Sequence, residues 1–146
     1  MQLYHAPKAV NPERTYNFLK AKGKLDAVEL VEVSIMKGEH KQPAYRALSP
    51  FAQVPVLVLD DGTTITESRA ICSFFEHMFP EPNLMGSDAR EKGLIEMWDR
   101  RVEFMMMMQF ATWFRNTHAM MAPLENPQLP EAGAKAEKSV KKFAAR

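Results

Sequence analysis

The stretch Ser49-Pro50-Phe51-Ala52-Gln53-Val54-Pro55-Val56-Leu57-Val58-Leu59 decides how the first half of this chain folds. Val54–Leu59 is a near-continuous apolar run of strand length, which reads as a strand buried on both faces. Proline is tolerated at its start, where the backbone nitrogen need not donate to a ladder. Asp60-Asp61-Gly62 follows as a tight hairpin turn, and Thr63–Thr66 is the return strand. Ser68–Met78 then reads as a helix, with Ile71, Phe74, Phe75 and Met78 on one side and Pro80 just beyond it.

Upstream, Met1–Tyr4 reads as a short strand, and Asn11-Pro12 as a helix start with Asn11 capping and Pro12 at the first helical position. Tyr16, Phe18 and Leu19 give that helix an apolar face, and Gly23 stops it. Ala27–Val33 is the second strand, which makes a βαβ unit with parallel strands and a right-handed crossover. Met36–Gln42 is polar loop, and Pro43–Leu48 forms a short helix. A βαβ half followed by a ββα half predicts an α/β domain: one mixed sheet in the thioredoxin-like βαβ-α-ββα order, with helices packed on it.

Downstream the pattern changes. Pro80–Gly86 holds two prolines and a glycine and reads as a linker. Ser87 caps a long helix through Leu94, Trp98, Val102, Met105, Phe110 and Trp113, reaching roughly to His118. Met120–Pro130 is a proline-broken loop, and Glu131–Arg146 is a further helix. The expected organisation is a thioredoxin-like domain at 1–79, a linker at 80–86 and the first helices of an all-α domain at 87–146. Met105–Met108 is apolar on every side of its helix, which predicts burial all round. Two helices cannot supply that cover, so further helices beyond Arg146, or failing those another subunit, are expected to provide it.

Bulk properties narrow the function classes. Of 146 residues, 46% are hydrophobic and 25% charged, the balance of a chain with a packed core. A net charge of +1 with no basic run argues against nucleic acid as the main partner. Met1–His5 is too short to be a signal peptide, and no run approaches the roughly eighteen apolar residues that cross a bilayer. Cys72 is the only cysteine, which excludes an internal disulfide or a Cys-x-x-Cys pair and fits a cytoplasmic setting. Any thiol chemistry would then use a thiol carried in by a ligand; no metal site is expected.

Two short motifs point to such a ligand. Val54-Pro55 at a strand start, with a cis bond, would leave the Val54 N–H and C=O at the sheet edge, where an extended peptide can pair as an added strand. Neighbouring Gln53 adds an amide. Glu67-Ser68 sits where the last strand gives way to a helix. Its plainer reading is an N-cap, but free N–H groups and a hydroxyl at a helix start also bind a carboxylate, and Glu67 can pair with an ammonium. One ligand end bearing both charges would satisfy both residues.

These residues resemble the soluble glutathione transferases. Gly38-Glu39-His40-Lys41, then Ser49 to Leu57, then Glu67-Ser68-Arg69-Ala70-Ile71, look like that family throughout its first domain. The resemblance implies that Val54, preceding Pro55, pairs with the cysteinyl backbone of glutathione. It also implies that Gln53, Glu67 and Ser68 hold the γ-glutamyl end, and that His40 and Lys41 reach the glycyl carboxylate. Glutathione would be a co-substrate in detoxification, its thiolate meeting a small electrophile or a disulfide, and the protein would be a homodimer. The long helix would line the second-substrate site, with Met108, Trp113 or Phe114 as contributors.

The sequence departs from the family's common pattern at the thiol. Ala6-Pro7-Lys8-Ala9-Val10-Asn11-Pro12 has no hydroxyl or thiol, where many members keep Ser, Tyr or Cys. Asn11 is the leading catalytic candidate, because its amide can donate to a thiolate; a structural N-cap is its plain alternative. Tyr4 ranks behind as an inward-facing strand residue, and Cys72 reads as a small buried hydrophobe. The alternative to an enzyme is a non-catalytic binding or scaffold protein of the same fold, of the polymerase-associated starvation-protein type. A truncated, inactive product is a third reading.

Overall fold

The computed structural model describes residues 1–145, which divide into two compact units, 1–85 and 86 onward. In the first, β1 (Gln2–His5), α1 (Val10–Ala21) and β2 (Glu29–Glu32) form the βαβ half. α2 (Pro43–Leu48), β3 (Val56–Val58), β4 (Thr64–Thr66) and α3 (Ser68–Met78) complete it. The sheet runs β2-β1-β3-β4, with β1 and β2 parallel and the other pairs antiparallel. This is the mixed, thioredoxin-like sheet expected from the sequence.

Alternation along the strands builds a core on each face. Leu3 and Leu57 join Leu19 of α1 and Ile71 and Phe75 of α3 on one side. Val56 joins Tyr45 of α2 and Val33 on the other, with Tyr4 packed against them. Phe75 is fully buried, and truncating such a ring to alanine costs about 3–5 kcal/mol. Cys72 is buried in the same helix.

Three helix starts differ from the sequence-based expectation. Ala9, in extended conformation, holds the cap position of α1, so Asn11 lies inside the first turn and is exposed. Glu67 holds the cap position of α3, so Ser68 is its first helical residue rather than its cap. In the second unit Asp88, not Ser87, caps α4 (Ala89–Arg101) by accepting from the Glu91 N–H at 2.8 Å. Glu91 reaches back to the Ser87 N–H and hydroxyl, so the two residues share a capping box. Pattern alone places a helix start only to within a residue or two.

α4 continues through a π-helical stretch, Val102–Met107, into α5 (Met108–Thr117). α6 (Pro130–Ala144) begins with its proline in the first turn and lies against α5. At that contact a Cβ on Gly133 would come within 2.5 Å of Thr117 Cγ2, so a larger residue there would force the Thr117 side chain to shift. Asn116 ties the pair, accepting from the Leu129 N–H at 2.7 Å and donating to the Thr112 carbonyl at 2.9 Å. The all-round burial expected of Met105–Met108 is not found among the described residues. Met105 and Met108 are 44% and 55% exposed, because α6 covers one flank of their helix and leaves the rest open within this unit.

Candidate functional site

Strand register sets the chain segments that lead to the sequence-predicted residues at one end of the first unit's sheet. Val56 pairs with Thr66 at the end of the β3–β4 ladder, so the chain entering β3 through Val54 and Pro55 and the chain leaving β4 into Glu67 and Ser68 do so at the same end of that pair. Tyr4 pairs with Val56 across β1 and β3, so the chain leaving β1 toward Asn11 passes the same edge. His5 pairs with Glu32 at the end of β2, from which the chain enters the loop bearing His40 and Lys41. Strand ends far apart in sequence thus open on one side of the sheet.

The backbone at this edge is unusual. The Val54–Pro55 bond is cis. Val54 lies ahead of the β3 ladder, which begins at Val56, and is half-buried, while Pro55 is buried and Gln53 exposed. Among the described residues, the three non-glycine positions with positive φ are Lys8 (67°), Ala52 (53°) and Glu67 (66°). All three flank this edge. Such positions cost of order 1–3 kcal/mol each and cluster where structure is held for a purpose.

Two residues that the sequence did not single out hold the strand-entry loop. Ser49, 1% exposed, accepts from the Gln53 N–H at 3.1 Å through its hydroxyl oxygen. The Tyr45 hydroxyl donates to the Gln53 carbonyl at 2.8 Å. Burial, and after it the neighbouring Tyr4, pushes the Tyr45 hydroxyl pKa well above the usual tyrosine value, so it stays a donor. The signal was present in the spacing: Tyr45 and Ser49 are one helical turn apart, and the Ser49 N–H closes that turn on the Tyr45 carbonyl.

At α3 the Ser68 side chain is buried, and Arg14 of α1 donates to its hydroxyl at 3.4 Å. Glu67 is exposed beside it. His40 and Lys41 occupy a 3-10 turn, Glu39–Lys41, entered through Gly38 in a left-handed conformation. His40 is half-buried, and its Nδ1 is enclosed with no hydrogen-bond partner among the described residues. Burial first, then the charges of Lys41 and Arg46, lowers its pKa below 6.5, so it is neutral at pH 7. Asn11 lies in the first turn of α1, whose first helical bond runs from the Glu13 N–H to the Ala9 carbonyl. The Lys8 N–H is taken by Glu13 Oε1 at 3.0 Å. Tyr4 points to the opposite core, edge-on to Tyr45 at 5.8 Å.

A family model of the glutathione S-transferase N-terminal domain matches residues 10–78, the span that carries every one of these elements except β1. A glutathione S-transferase domain-containing protein of Marinobacter aquaeolei is 35% identical, and its crystal structure superposes over 99% of this chain and 71% of its own with a TM-score of 0.92. The chain belongs to the glutathione S-transferase family. Glutathione S-transferase 2 of Saccharomyces cerevisiae is 34% identical over 84% of this chain and 53% of its own. Maleylacetoacetate isomerase of Pseudomonas aeruginosa is 39% identical over 64% and 46% respectively. The chain spans about half the length of these two curated relatives.

Within the family's helical region, the residues expected at a second-substrate site lie on α5. Met108 is exposed, and Trp113 and Phe114 pack on Phe110 at 5.4 and 6.1 Å. A separate open groove of about 530 Å³ lies along α6, lined by Phe104, Met105, Gln109, Lys135, Ser139 and Phe143 among others. No cluster of three metal-ligating side chains occurs among the described residues, and no described helix is long and apolar enough to cross a membrane.

Proposed function

We propose that this chain binds glutathione along the edge formed by Val54-Pro55 and Glu67-Ser68 and presents its thiolate to an electrophilic or disulfide substrate. The observation that supports the reading is the Val56–Thr66 pairing at the end of the β3–β4 ladder, to which both motifs are adjacent in the chain. The cysteinyl backbone of the peptide pairs with Val54 as an added strand. The γ-glutamyl carboxylate meets the start of α3 and the Ser68 hydroxyl, the ammonium meets Glu67, and Gln53 contributes its amide. His40 and Lys41 take the glycyl carboxylate, Lys41 by charge and neutral His40 by hydrogen bond. The protein acts in the cytoplasm as a homodimer.

Thiol activation falls to the start of α1. A free thiol has a pKa of about 8.5, and lowering it by about two units needs about 2.7 kcal/mol. A charge-assisted hydrogen bond from the Asn11 amide contributes about 1.5–3 kcal/mol, and the helix N-terminus about 0.3–1. Together they span about 1.8–4 kcal/mol, a range that brackets the requirement without a hydroxyl. A non-catalytic binding protein is the second reading, favoured by the hydroxyl-free stretch from Ala6 to Pro12.

Retention on immobilised glutathione, followed by calorimetry with Ser68→Ala, tests the first step. Absence of millimolar or tighter binding by the intact protein removes the glutathione reading. Thiolate absorbance of the complex across pH tests activation, and turnover is then assayed with electrophiles that include maleylacetoacetate, the substrate named for one relative. Binding with an unshifted thiol pKa and no turnover selects the scaffold reading.

A further inference from the structure

Lysine is almost never fully buried unless its ammonium is paired, yet Lys22, just past the end of α1, is only 3% exposed. Its Nζ lies 2.6 Å from Glu76 Oε2 on α3. The same Nζ donates to the Pro82 carbonyl at 2.6 Å and to the Pro80 carbonyl at 3.4 Å. Glu76 completes the arrangement from the other side, its Oε1 accepting the N–H of Leu84 at 3.0 Å and of Met85 at 3.3 Å. Met85 is also held at its sulfur by Arg69 Nη1, at 3.0 Å.

One ion pair therefore engages two carbonyls and two amides of the segment 80–85, each with the polarity that group needs. The segment cannot fasten itself. Pro80 and Pro82 have no N–H, so neither a helix nor a strand can satisfy its backbone, and partners must come from elsewhere. Arg14 reaches Ser68 near the starts of α1 and α3, and Lys22 meets Glu76 about two turns further along both. The helices thus run parallel, and the pair closes their far ends. Gly86 follows at once with φ +90°, where a Cβ would sit 2.7 Å from the Lys92 nitrogen.

We propose that Lys22 and Glu76 form a clamp that fastens residues 80–85 to the ends of α1 and α3, making a fixed strap of a stretch whose composition reads as a linker. The clamp is independent of any ligand.

Amide hydrogen exchange on the full chain tests it. In the unsubstituted protein the Leu84 and Met85 amides should exchange about a hundredfold or more slower than in an unstructured peptide. Glu76→Ala should speed both by about tenfold or more while Leu57 in β3 keeps its rate. Lys22→Met leaves Glu76 in place but frees the two proline carbonyls, and should raise chymotryptic cleavage after Leu84 about tenfold or more. Unprotected Leu84 and Met85 amides in the unsubstituted chain overturn the proposal, and that measurement decides alone if neither variant folds. Unchanged exchange and cleavage in folded variants overturn it equally.

Discussion

The Tyr45 hydroxyl on α2 donates to the Gln53 carbonyl, 2.8 Å away, and so fixes the backbone one residue ahead of the Val54–Pro55 bond. Removing that donor leaves a carbonyl unsatisfied at the edge where glutathione is proposed to pair. Tyr45→Phe should cost about 1 kcal/mol of stability by denaturant melt and weaken glutathione several-fold. Because the Tyr45 pKa is pushed up, the unsubstituted protein should show no phenolate absorbance from this residue at pH 10.

Glu67 sits at φ +66° and ψ 116°, a conformation that penalises any side chain. Glu67→Gly should therefore gain about 1–3 kcal/mol in stability while losing about tenfold or more in glutathione affinity with the carboxylate. Glu67→Gln, which keeps the strain, should lose affinity without the gain. A stabilised Glu67→Gly that binds glutathione undiminished would show the strained carboxylate has no part in binding.

Asn11 is exposed and does not cap α1, so Asn11→Ala should change stability by no more than about 0.5 kcal/mol. If it activates the thiol, the same substitution should raise the pKa of bound glutathione by about one unit or more, read by thiolate absorbance. A large stability loss with an unmoved thiol pKa would return Asn11 to a structural role.

His40 titrates below its ordinary 6.5 because burial and then Lys41 and Arg46 disfavour the imidazolium. The unfolded chain then binds the proton first as pH falls. This contribution to stability is fully present above 6.5 and is lost as pH drops through the lower, folded value. An NMR titration should show the depressed midpoint, with Lys41→Gln and Arg46→Gln each moving it upward. Saturating glutathione should raise it too, since a carboxylate beside the ring favours the charged form.

Glu76 carries a similar test in the opposite class of group. Burial works to raise its pKa, but Lys22 and the Leu84 and Met85 amides hold it below the ordinary 4.5. The clamp's contribution is present above that value and is lost only as pH falls through the lower, folded one. Leu84 protection should therefore persist at pH 4.5 in the unsubstituted chain and vanish on further acidification; an earlier loss would place the carboxylate outside the ion pair.

The sequence by itself determined the order of elements and named the candidate residues beside the Val54–Pro55 bond. The near-continuous apolar run Val54–Leu59, the Asp60-Asp61-Gly62 turn and the apolar face of Ser68–Met78 are local signals, and local physics reads them. Helix starts were legible only to a residue, because Ala9 and Glu67 hold cap positions through backbone conformation rather than through a capping side chain. What tertiary structure decided is of a different kind. The burial of Lys22 against Glu76 and the reach of Arg14 to Ser68 depend on partners brought from distant parts of the chain. No periodicity encodes such pairings, since each is satisfied only after the sheet sets its register and the helices pack on it.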